Sequence, residues 1–203
     1  MSDHIKPERQ IIMLIGLPGA GKSTYIKEHA EELKGFTILS IDRIAYERSK
    51  GTGLTGAQIH DKQYNSIVNE FADKLNTAIK NGDNILIEGV NATYEKRSMR
   101  LAGAKETEQY NYKTKAIVIN PPSEEIRRER IWKRAFGEHR VSFDDAVLEL
   151  PKKGEFDKVE FIGSIPKDTS LYFPKHASYG NQSTRLPELI KYADRSDSIK
   201  PHR

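Results

Sequence analysis

From Gly16 to Ser23 the chain reads GLPGAGKS, directly after the apolar run IIMLIG and directly before the helix-like KSTYIKEHAEELK. A strand, a glycine-rich loop and a helix start therefore follow one another at the spacing G-x-x-x-x-G-K-[ST]. Glycines let consecutive backbone N–H groups converge on one point, and the helix that follows adds the positive end of its dipole, so this loop is shaped to cradle phosphate. Lys22 adds a full positive charge, and the Ser23 hydroxyl is placed to ligate magnesium. The expected ATP-binding set is Gly16, Pro18, Gly19, Ala20, Gly21, Lys22, Ser23 and Thr24, with Mg2+ on Ser23.

The rest of the chain repeats the alternation. FTILSID (Phe36 to Asp42), NILIEG (Asn84 to Gly89) and KAIVIN (Lys115 to Asn120) are short, almost continuously apolar runs, as in parallel strands buried on both faces. Between the first two of these, Ile59, Ile67, Val68, Phe71, Leu75 and Ile79 recur at helical spacing until the stop signal Asn81-Gly82. A second helix is expected from Tyr94 to Glu108. A third follows NPPSEE, with Ser123 as its cap. Alternating strands and helices predict an α/β fold, a mostly parallel sheet flanked by helices. Residues 1–163 make the domain, and residues 164–203 form an irregular extension with seven Lys or Arg against four Asp or Glu.

Composition narrows the classes. The chain has 203 residues, enough for one domain with a real core, and carries a formal charge of +4, which mildly favours an anionic partner. It has no cysteine, so thiolate metal sites and cysteine nucleophiles are excluded. No apolar run approaches the roughly 18 residues of a membrane span, and the charged N-terminus lacks a signal-peptide pattern, so a cytoplasmic protein is expected, with no membrane and no evident protein partner.

A phosphate cradle serves switches, motors and kinases alike. The guanine-reading string N-K-x-D and the switch string D-x-x-G are both missing, which argues against a GTPase. After the apolar run ILIEGV only Glu88 supplies an acid, where a motor ATPase carries a pair. A phosphoryl-transfer enzyme needs a carboxylate to take the acceptor's proton and cations to neutralise developing charge. Asp42, at the carboxyl end of a strand, is the carboxylate candidate, and its competing role is to cap the helix that begins at RIAYER. Arg127, Arg130 and Arg134 share one helical face, either as that cation supply or as a solvated face paired with Glu124, Glu125 and Glu129.

The order GLPGAGKST, Asp42 after a strand, IEGVNATYEKR, RERIWKR and HRVSFDDAVLEL resembles the kinase domain of the phage-type 5′-hydroxyl polynucleotide kinases, over about Gln10 to Ile162. The resemblance implies a P-loop kinase fold with a helical lid. It also implies ATP and magnesium on Lys22 and Ser23, Asp42 as general base, and Arg134 reaching the phosphates from the lid with Arg130 four residues earlier. The implied acceptor is a DNA or RNA 5′-hydroxyl end. Two positions depart from the family. Ala45 stands where an arginine grips the acceptor's phosphate, so Arg43 and Arg48 are the candidate replacements. Gly89 stands at the acid of an Asp-x-Asn pair, with Asn91 retained as an acceptor-binding candidate and Glu88 as the nearest acid. LIEG also resembles the zeta-toxin kinases, which act on a nucleotide-sugar. A small-molecule acceptor, a modified base in phage DNA and an ATP-sensing binding protein are the competing expectations.

Overall fold

The computed structural model describes residues 6–120, 123, 125–127, 129–131 and 148–163. The sheet has five strands: β1 (Glu8–Ile15), β2 (Phe36–Ser40), β3 (Asn84–Glu88), β4 (Asn111–Ile119) and β5 (Lys158–Ile162). Their spatial order is β2-β3-β1-β4-β5, and every pair is parallel. The helices are α1 (Lys22–Glu28), α2 (Ile41–Ser49), α3 (Gly56–Asn81) and α4 (Tyr94–Glu106). The four expected strands are present, and β5 joins them on the far side of β4. Its sequence KVEFI lacks the apolar continuity of the others, and it lies at a sheet edge.

Strand periodicity splits the core into two faces. Ile11, Met13 and Ile15 of β1, with Ile85, Ile87, Ala116 and Val118, pack against α2, α3 and α4. Ile12 and Leu14, with Leu86, Ile117 and Ile119, pack on the opposite face against Tyr25 of α1 and Leu33. Burial on both faces is why these strands are written as unbroken apolar runs. The long apolar periodicity becomes α3, opened by a capping box between Thr55 and Gln58 and closed at Gly82, with a kink at Gln63. In α4 the helix stops at Glu106, two residues short of the expected end.

A buried ion pair locks the sheet's carboxyl edge. Arg97 of α4 is 0% exposed. Its Nε donates to Glu155 Oε1 at 2.5 Å and its Nη2 to Glu155 Oε2 at 3.0 Å. Nη1 donates to the carbonyls of Asn91, Ala92 and Glu149. One guanidinium thus ties α4 to the turn after β3 and to the segment leading into β5. Removing one partner of such a pair leaves a buried charge and costs about 3–5 kcal/mol. Arg97→Met should therefore lower the stability measured by urea unfolding by about that amount, and Arg97→Met/Glu155→Leu should recover much of it; a single variant within 1 kcal/mol of wild type would disprove this role.

Candidate functional site

The phosphate loop leaves β1 in the middle of the sheet, between β3 and β4. At Gly16 the backbone of β1 passes the end of β4 so closely that a Cβ would lie 2.6 Å from the Ile119 carbonyl oxygen. At Gly19 the backbone is left-handed (φ +79°), and a Cβ would lie 2.9 Å from the Arg127 carbonyl oxygen and 3.1 Å from Ile131 Cγ1. The second contact shows what covers the loop. Residues 125–127 and 129–131 are helical, begun by Ser123, whose Oγ accepts from the Ile126 N–H at 3.2 Å. Arg127 is buried against the loop, its Nη1 reaching the Pro18 carbonyl at 3.5 Å, and Arg130 Nη1 donates to the Gly19 carbonyl at 3.3 Å. Arg130 thus lies against the phosphate loop. Arg134 lies outside the described residues, as does residues 164–203, the basic extension.

No side chain caps α1 at Gly21, so the first turn of that helix opens into the loop. Lys22 folds back over it, donating from Nζ to the carbonyls of Gly16 at 2.6 Å and Leu17 at 3.0 Å. Ser23 Oγ donates to Glu88 Oε1 at 2.9 Å. Glu88 ends β3, the strand next to β1, so the parallel register brings this acid to the start of α1. A hydroxyl and a carboxylate side by side at a phosphate loop suit magnesium, which takes one or two protein oxygens and fills its octahedron with water and phosphate. The residues present therefore fit Mg-ATP, and Ser23 and Glu88 would hold the metal side.

The second wall of the site comes from β2. Ser40, in extended conformation, caps α2 by accepting from the Arg43 N–H at 3.4 Å. Capping by Asp42, the competing role left open by the sequence, is thereby corrected: Ser40 is the cap, the helix starts at Ile41, and the exposed Asp42 carboxylate stands in its first turn. Ala45, one turn on, is buried in the core facing α3. Arg48 is held by α3: Nη2 pairs with Glu70 Oε2 at 2.6 Å, and Nη1 donates to Gln63 and Ser66. Hydrogen bonds from Lys74 and then Arg48 hold the Glu70 carboxyl below its usual pKa. Arg43 lines an open cleft of about 370 Å3 between β2, α2 and α3, together with Glu47, Arg48, Glu70 and Lys74.

Asn91 is 3% exposed, with φ +50°, and its side chain is used inside the fold. Nδ2 donates to the Leu14 carbonyl at 2.6 Å, and Oδ1 accepts from Arg100 Nη1. Glu88, the nearest acid the sequence offered, meets Ser23, and Arg100, which the sequence did not single out, meets Asn91. For Glu88 a signal existed, since it is the one acid at the end of the third apolar run. Arg100 lies within an ordinary helical stretch, which carries none.

These features define a P-loop kinase-like α/β fold with a nucleotide-binding loop. The chain belongs to the AAA_33 family, described as an AAA domain, whose profile matches residues 11–154. Among solved structures it is similar to a candidate kinase from Chloroflexus aurantiacus, at 17% identity over 76% of this chain and 88% of that one, with a TM-score of 0.56. It is similar to a component of the Pnkp1/Rnl/Hen1 RNA repair complex, at 19% identity and a TM-score of 0.51, over 72% of this chain and only 44% of that one. It is also similar to Kti12 of Chaetomium thermophilum in complex with ADP-AlF3, at 15% identity over 79% and 92%, with a TM-score of 0.50. At such identities the likeness is one of fold. Among the described residues no helix is long and apolar enough to cross a membrane.

The pairing of Ser23 with Glu88 yields a direct test. Glu88→Gln keeps the shape of the side chain and removes its charge, so the magnesium concentration giving half-maximal ATP binding should rise about tenfold or more. ATP binding without metal should hardly change. An unaltered magnesium midpoint in a thermal-shift titration would remove Glu88 from the metal side of the site.

Proposed function

We propose that this protein is an ATP-dependent phosphotransferase that moves the γ-phosphoryl group of ATP to a hydroxyl, and that the acceptor is the 5′-hydroxyl end of DNA or RNA. The observation that carries the kinase reading is Asp42: an exposed carboxylate at the carboxyl end of a parallel strand, relieved of capping by Ser40. In parallel sheets ligands bind beyond those strand ends, which is also where the phosphate loop opens. Lys22 exchanges its loop carbonyls for phosphate oxygens when ATP binds, and the backbone amides from Gly19 to Ser23 hold the donor. Magnesium, when bound, neutralises charge on the β and γ phosphates. Asp42 orients the acceptor hydroxyl and takes its proton as the phosphoryl group transfers. Arg130, already on the loop, and Arg134 from the same stretch of chain supply positive charge to the donor side.

The polynucleotide acceptor rests on the order of motifs shared with the 5′-hydroxyl polynucleotide kinases. The likeness to a component of an RNA repair complex agrees with it in fold. A labelled-ATP assay with 5′-hydroxyl oligonucleotides, nucleosides and nucleotide-sugars tests this, and oligonucleotides should be labelled best. A nucleotide-sugar labelled in their place would show a small-molecule kinase, and retained ATP affinity with no labelled product would show an ATP-sensing protein.

Two substitutions test the assigned roles. Lys22→Met should lower transfer at least about a hundredfold, because one fixed charge on the transferring group is worth a few kcal/mol. Asp42→Asn should retain ATP affinity and melting temperature while kcat falls by roughly 10² or more. Turnover by Asp42→Asn at the wild-type rate would remove it as the base.

A further inference from the structure

Arg97 and Arg100 lie one turn apart on α4, and their surroundings differ sharply. Arg97 is fully enclosed and engaged by a carboxylate and several carbonyls. Arg100 is partly exposed, and among the described residues one of its five N–H donors is engaged, with Nη1 donating to Asn91 Oδ1. Its guanidinium lies over the Phe71 ring at 5.0 Å. Among the described residues no carboxylate forms an ion pair with it. Burial pulls the Arg100 pKa below its ordinary value, opposed by the nearby charges of Tyr64 and Asp42. Structural arginines in a partly enclosed setting are ordinarily matched by a carboxylate, as Arg97 is.

The position of Arg100 accounts for the spare donors. Gly89 and Asn91 follow β3 and Asp42 follows β2, so Arg100 stands at the carboxyl edge of the sheet on the acceptor side. A Cβ on Gly89 would lie 3.4 Å from Arg100 Nη1, so the missing side chain leaves room beside the guanidinium. Of the other cations considered for the acceptor, Arg48 is paired with Glu70, and Arg43 is exposed on the cleft that it lines with Glu47, Glu70 and Lys74. Asn91, anchored on the Leu14 carbonyl, holds one guanidinium nitrogen and leaves the rest of the planar fork for an oxyanion.

We infer that Arg100 is the acceptor-binding residue that grips a phosphate adjoining the hydroxyl to be phosphorylated, with Gly89 providing the space and Asn91 setting the orientation. This rests on the kinase reading above and deepens it: the preferred acceptor carries a phosphate next to its reacting hydroxyl, as the first nucleotide of a 5′-hydroxyl strand does. Tyr64, 47% exposed on α3, is near enough to Arg100 to act on it electrostatically.

The test uses the full chain, labelled ATP and three acceptors: a 5′-hydroxyl oligonucleotide, a nucleoside 3′-monophosphate, and the same nucleoside without phosphate. Wild type should prefer the 3′-monophosphate to the bare nucleoside by about tenfold or more in KM. Arg100→Met, which keeps an apolar stem over Phe71, should raise KM for the two phosphate-bearing acceptors about 10- to 100-fold, with the bare nucleoside and ATP affinity unchanged. Arg100→Lys keeps the charge without the fork, should recover part of the loss, and carries the test if Arg100→Met does not fold. Loss of KM for all acceptors alike, or an undiminished preference for the 3′-monophosphate in either folded variant, would overturn the role of Arg100 while leaving the kinase reading intact. Wild-type protein that labels none of the three would overturn the proposed function and this inference with it.

Discussion

The Arg97–Glu155 pair is the interaction on which the acceptor side of the site depends. Its geometry fixes three stretches at once, because one planar guanidinium bonds the Glu155 carboxylate and the carbonyls of Asn91, Ala92 and Glu149. Desolvating the charge makes any other arrangement of these stretches costly. The turn after β3 and the first half of α4 consequently have one relative placement. Arg100, one turn further along α4, inherits its position at the sheet edge from that lock, and Asn91 meets it there.

The donor side depends on close backbone approach. At Gly16 and Gly19 the space for a side chain is filled by the Ile119 and Arg127 carbonyls, so the loop is held between the end of β4 and the helical residues 125–127 and 129–131. That stretch brings Arg127 and Arg130 onto the loop through their bonds to the Pro18 and Gly19 carbonyls. A loop held this tightly loses little conformational freedom on receiving phosphate, which is what preorganised electrostatic stabilisation requires.

The two sides meet because every strand runs the same way. Parallel pairing places the exits of β1, β2 and β3 at one edge, and each exit contributes a different chemical group: the phosphate cradle after β1, Asp42 after β2, and Glu88 with the Gly89–Asn91 turn from β3. Glu88 bonds Ser23 at the phosphate loop, while Asn91, three residues on, bonds Arg100 of α4. One strand end thus reaches both α1 and α4.

By itself the sequence determined the layered α/β fold, the phosphate loop with Lys22 and Ser23, the Ser123 cap and the Gly82 stop, because each rests on local conformation or on strand and helix periodicity that a short window displays. It also singled out Asp42, without separating a base from a cap. Tertiary structure removed the capping role, since Ser40 caps α2, which starts at Ile41. It alone decided the Ser23–Glu88, Arg97–Glu155 and Arg100–Asn91 contacts. The first two join residues 65 and 58 positions apart, and the third depends on how α4 is tilted against the turn after β3. Strand β5 was likewise settled by pairing, its half-polar sequence being readable as a strand only once β4 offers an open edge. Charged pairs chosen by packing leave no periodic trace along the chain, because the fold selects each partner by proximity in space.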